Sequence, residues 1–137
     1  MFNPFTIPNP ALWTSIALLT QQLMFGKFMS VGYRLKSVMM DKEKFKALLD
    51  SKEYKVTHAA QLNNAEWTPS FVAGLLFLHS VGKGDNIYLC ALTLASCMSY
   101  CVVKVFSNGK PTPVIAVARY SAFSFMIYEM VMHAKSL

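Results

Sequence analysis

Ala60-Gln61-Leu62-Asn63-Asn64-Ala65-Glu66-Trp67-Thr68-Pro69-Ser70-Phe71 sets amides, a carboxylate and a proline into the first turns of a long apolar run. Asn63, Glu66 and Ser70 follow at steps of three and four, so a helix carries them on one face while Ala65, Phe71 and Val72 point elsewhere. A polar stripe therefore enters an apolar environment, and the rest of the chain says which kind.

Of 137 residues, 54% are hydrophobic, and the mean hydropathy is +0.35. Charged residues make up only 15% and are segregated, leaving long stretches with one or none. That pattern fits a chain that crosses a bilayer several times. The net charge of +6 comes from 13 basic residues, most of them in one connection and interrupted by acids. Such a surface suits anionic headgroups rather than nucleic acid. Cys90, Cys97 and Cys101 share one apolar segment and read as small buried hydrophobes. They offer too few ligands for a metal, and their odd number argues against a disulfide framework.

Four spans follow, at about residues 11–33, 58–81, 87–106 and 112–133. Pro4, Pro8 and Pro10 make the lead-in extended or turn-rich. No basic stretch precedes the first apolar segment, so that segment is expected to remain as an anchor. Gln21 and Gln22 direct one face of the first span toward other helices. Between Arg34 and Lys55, Phe45, Leu48 and Leu49 recur at helical spacing, which predicts a short amphipathic helix or a solvated loop with some helix. Pro69 predicts a kink in the second span. Gly82-Lys83-Gly84-Asp85-Asn86 and Ser107-Asn108-Gly109-Lys110-Pro111 are tight turns.

Arg34, Lys36, Lys42, Lys44, Lys46, Lys52, Lys55, Lys104 and Lys110 fall on one side of these spans, against Lys83 and Lys135 on the other. The positive-inside rule turns the long first loop to the cytosol and both termini to the opposite compartment. Counted from the cytosolic ends, Lys27, Glu66 and Arg119 each lie roughly 10 Å deep. An isolated charge there costs at least ~2.5–3.5 kcal/mol, so a buried network of Glu66 with Lys27 or Arg119, joined by Asn63, is predicted. Glu129 and His133 make a second pair at i, i+4.

Through Ala60-Gln61, Asn63, Glu66, Trp67, Pro69 and Phe71 the chain resembles the MAPEG family, the membrane-associated proteins of eicosanoid and glutathione metabolism. It looks nearest to the branch of microsomal glutathione transferase, leukotriene-C synthase and lipoxygenase-activating protein. Four spans, a basic first loop and a weaker similarity at Thr112-Pro113 and Ala118-Arg119 accompany the motif. The resemblance implies an all-α integral membrane four-helix bundle, assembled as a homotrimer or within a larger membrane complex, in the endoplasmic reticulum or another organelle. It implies glutathione as co-substrate between protomers, bound by Gln61, Asn63, Glu66 and Trp67, beside a bilayer-open site for a lipophilic substrate. Lys110 aligns with the basic residue credited with stabilising the thiolate, the reactive form of the thiol. That thiolate would open an epoxide, add to an activated alkene or reduce a lipid hydroperoxide. The alternative is a catalytically degenerate subunit that presents lipid or supports a complex. The family's arginine before Ala-Gln is Ala59 here, beside His58. Its span-three arginine and tyrosines align with Ser96, Ser99 and Val103, with Tyr100 one place out of register and Lys104 nearby.

Overall fold

The computed structural model describes residues 8–107 and 113–134, save the Val105 side chain. These residues form five helices and no strand: α1 (Pro10–Met39), α2 (Lys42–Asp50), α3 (Lys52–Ser80), α4 (Ile87–Phe106) and α5 (Pro113–Ala134). Pro10 opens α1 at the position where a missing N–H is harmless. Ser51 ends α2 and caps α3, its Oγ accepting from the Tyr54 N–H at 3.2 Å. Asn86 caps α4 in the same way, its Oδ1 accepting from the Leu89 N–H at 3.1 Å.

The α3–α4 turn closes with a paired C-terminal motif. The Lys83 N–H reaches the Leu78 carbonyl at 2.8 Å, and the Gly82 N–H reaches that of His79 at 3.1 Å. Gly82 supplies the left-handed residue this turn needs, at φ 73°. The start of α1 docks on the same turn, the Ala11 N–H donating to the Gly84 carbonyl at 3.0 Å. A Cβ at Gly84 would stand 2.8 Å from the His79 Cα, so only glycine admits this approach.

Helices α3 and α4 pack on each other at the centre, and each contacts both α1 and α5. Among the described residues α1 and α5 do not meet. The apolar core lies toward the α3–α4 turn, where Leu18, Phe71, Leu75, Leu78, Leu89 and Met126 are all fully buried. The three cysteines are buried and free. Phe45, Leu48 and Leu49 are the half-buried residues of α2, whose remaining residues are exposed.

Among the described residues two helices are long and apolar enough to cross a membrane: α4 over Ile87–Lys104, with hydropathy 1.6, and α5 over Pro113–Ala134, with 1.3. Only 17% of the α5 stretch is buried, so most of its apolar surface faces outward. At 30 and 29 residues α1 and α3 are longer still, but Gln21, Gln22 and Lys27 interrupt one and Asn63, Asn64 and Glu66 the other. Both extend past the apolar stretches read from sequence, α1 to Met39 and α3 back to Lys52. Their flanks contain good helix formers and no breaker, so helix continues where hydropathy ends. Helix α3 runs through Pro69.

Candidate functional site

The inward seam of α3 is Ala60, Asn64, Thr68, Phe71, Leu75 and Leu78, a run of steps of three and four. At about 100° per residue, the Asn63, Glu66 and Ser70 stripe lies well around the helix from that seam. Glu66 and Ser70 are accordingly exposed in the single chain, on a face shared with Ala59, Leu62, Pro69, Ala73 and Leu76.

Arg119, on α5, is the buried charge, 2% exposed. Its Nη1 donates to the Asn63 Oδ1 at 2.6 Å. The guanidinium also lies over two aromatic faces, 4.0 Å from the Tyr100 ring centre and 5.7 Å from that of Trp67. Cation–π contact of this kind compensates part of the desolvation of a buried cation. Nε and Nη2 have no partner among the described residues. The Cys97 and Cys101 thiols of α4 are close enough to feel this charge. Trp67 is held edge-on to Tyr120 at 5.1 Å and to Phe123 at 5.5 Å, and these contacts fix the roof of the arginine site.

A second polar layer joins α1 to α3 and α4. Asn64 donates through Nδ2 to the Gln22 Oε1 at 2.5 Å, and Gln21 donates through Nε2 to the Cys101 Sγ at 3.4 Å. Gln21 Oε1, Asn64 Oδ1, Thr68 Oγ1 and Thr93 Oγ1 are buried without a partner among the described residues. Gln61 leans toward α1, its Nε2 within 3.8 Å of where a Cβ would stand on Gly26.

The predicted network thus differs from the observed one. Arg119 and Asn63 come together, but Glu66 and Lys27 are both exposed, and among the described residues neither Lys27 nor Arg119 is ion-paired with Glu66. Lys27 and Glu66 stand at different heights because of the way α1 is displaced along α3. The Asn64–Gln22 bond, the Gly26–Gln61 approach and the Tyr33–Tyr54 ring contact at 4.6 Å set the register of the two helices. That register puts Lys27 level with about residue 60, some six residues and ~9 Å from Glu66.

The four candidate glutathione ligands spread around α3. Asn63 and Trp67 face α5, Glu66 faces outward and Gln61 faces α1. Ser96 Oγ donates to the Thr93 carbonyl at 3.0 Å and Ser99 Oγ to that of Ala95 at 2.6 Å, so both hydroxyls serve their own helix. Lys110, with the α4–α5 turn, lies outside the described residues. Glu129 and His133 pair at 3.3 Å near the other end of α5. The expected turning of Gln21 and Gln22 toward other helices is seen, while sequence reading missed Asn64, Thr68 and the part played by Tyr100. Stepping back from Phe71, Leu75 and Leu78 by threes and fours lands on Thr68 and Asn64, which was the available signal.

Comparison with protein-family models, curated proteins and solved structures returns no significant match.

Proposed function

We propose that the chain is an integral membrane protein of the MAPEG type, with α1, α3, α4 and α5 as four spans of a homotrimer. On this reading the α2 side faces the cytosol of an endoplasmic reticulum or other organelle membrane. The protein binds glutathione at the outward side of α3 and directs its thiolate at lipophilic electrophiles or lipid hydroperoxides. The observation that carries the reading is Glu66, an exposed carboxylate on a face otherwise made of Ala59, Leu62, Pro69, Ser70, Ala73 and Leu76. Hydrocarbon does not tolerate a bare carboxylate, whereas small side chains around it let a neighbouring helix approach closely. A second copy with a polar ligand between the two resolves both facts. Lys110 is assigned the role of thiolate stabiliser on the resemblance alone.

A second reading, a catalytically degenerate lipid-presenting or structural subunit, is favoured by Asn63 and α4. The Asn63 Oδ1 is already engaged by Arg119, while Ala59 and Val103 carry no polar side-chain group and Ser96 and Ser99 bond to their own helix. The two readings separate in a conjugation assay of purified protein with glutathione and a generic electrophile. Catalysis above the uncatalysed rate that falls at least tenfold in Lys110→Ala and in Glu66→Gln supports the enzyme. Activity equal to free glutathione sinks it. A Glu66→Gln protein with unchanged oligomeric stability and glutathione binding sinks the assignment of the α3 face under either reading.

A further inference from the structure

At the loop end of the bundle, a cleft of about 480 Å³ opens between the α2–α3 junction and the last turns of α4. Lys52 and Lys55 of α3 and Lys104 of α4 line it, together with Asp50, Val56 and Ala59. Three lysines against one aspartate leave the lining with an excess of two positive charges. The one carboxylate is loosely held, with Asp50 Oδ1 3.7 Å from Lys55 Nζ and both side chains well exposed. Such a pair is weak in water and yields to a stronger anion. The cleft also meets the first turn of α3, whose macrodipole adds positive potential.

Position and shape indicate where the anion comes from. Lys104 is the last residue of the apolar stretch Ile87–Lys104, so the cleft sits where apolar surface gives way to charge. Val56 and Ala59 give it an apolar wall, continued one turn along α3 by Leu62, 49% exposed. A free phosphate has no use for that wall, whereas a lipid does. We propose that the cleft binds the phosphomonoester headgroup of an anionic membrane phospholipid, with the phosphate among Lys52, Lys55 and Lys104. The acyl chains run along Val56, Ala59 and Leu62. The inference rests on the membrane reading of the bundle and not on glutathione chemistry, the acyl chains taking the Ala59 and Leu62 end of the α3 face and the second copy the part from Glu66 to Leu76. A phosphomonoester carries about −1.5 to −2 charges and so matches the lining better than a singly charged phosphodiester. Basic pockets at the cytosolic ends of membrane helices select headgroups by this electrostatic matching.

The test uses full-length protein in detergent, titrated with phosphatidic acid or phosphatidylglycerol and read by native mass spectrometry of lipid adducts. Phosphatidic acid is expected to bind about tenfold tighter than phosphatidylglycerol. Lys55→Gln/Lys104→Gln should weaken it about 25-fold, roughly fivefold for each lysine near the surface. Lys42→Gln/Lys46→Gln, on exposed positions of α2 outside the cleft, should change it less than twofold. If the cleft double variant loses helicity, Lys104→Gln against Lys104→Arg takes its place, with binding lost in the first and kept in the second. Equal weakening by the two double variants reduces the effect to diffuse attraction and overturns the proposal. Displacement of the lipid by equimolar glycerol 3-phosphate or glutathione overturns the lipid as occupant. Carbonate extraction of the membrane fraction tests the membrane reading separately, so a membrane-embedded protein with no headgroup preference refutes this inference alone.

Discussion

The two ends of the bundle differ in the balance of what they bury, Thr14, Ser15 and Thr93 being the buried polar side chains on the turn side. Toward the α3–α4 turn, Leu18, Phe71, Leu75, Leu78, Leu89 and Met126 interlock with no exposed surface, and Gly74 and Gly84 allow close approach. Toward the loop end, the same helices enclose Asn64, Thr68, Ser96 and Arg119, with several polar atoms lacking a partner among the described residues. The first end gains stability from packing that tolerates little change. The second holds groups whose burial is costly and which fix how the helices face one another. A chain that needed only to fold would have extended the first arrangement to both ends, so the polar end is where function is to be sought.

That contrast can be broken by mutation, most strongly in the apolar end. Leu75→Ala removes a fully buried side chain and is expected to cost about 2–5 kcal/mol, whereas exposed Leu76→Ala one residue on should cost far less. Thermal unfolding in detergent measures both, and equal losses would mean that this end is not a specifically packed core. The polar end should respond to pairing rather than to volume. Asn63→Ala strips Arg119 of its hydrogen bond to Asn63 Oδ1 and is expected to cost about 1–3 kcal/mol. Adding Arg119→Met should recover most of that loss, because a buried charge replaced by an apolar group of similar size is often neutral or stabilising. Additive losses in the double variant would show that Asn63 and Arg119 do not act together.

Smaller effects sharpen the picture at the turn. Gly84→Ala drives a Cβ into the His79 backbone and against Ala11, with an expected cost of about 1–3 kcal/mol. For Gly74→Ala the three nearest atoms all belong to the Met126 side chain, with its Cε at 2.6 Å, and a flexible thioether moves more readily than backbone. Chemical denaturation should rank Gly84→Ala as the more damaging. The reverse order would place the rigid contact inside the core instead of at the α1 docking point.

Much of the architecture follows from one-dimensional features. The Gly82–Asn86 turn and the spacing of Phe45, Leu48 and Leu49 are local, so sequence alone shows them, whereas Pro10, read as lead-in, opens α1. That Arg119 enters the bundle was also legible, since it stands alone in a long uncharged stretch. The partners of Arg119 were not. Asn63 and Asn64 are adjacent, and which amide turns inward depends on the absolute rotation of α3, set by the packing of Phe71, Leu75 and Leu78 against other helices. Asn64 bonds to Gln22 across 42 positions of sequence and Asn63 to Arg119 across 56, distances over which periodicity carries no information.

The sequence by itself determined the helices, their turns, their charge asymmetry and the relative phase of residues along each one, because these depend on backbone propensity and neighbours within a few positions. Only the tertiary structure decided which stripe of α3 faces inward and how far α1 is displaced along α3. The same packing put Glu66 and Lys27 on the surface while Arg119 settled over Tyr100. Those outcomes belong to contacts between helices, and a helix read alone has a period but no fixed rotation or height.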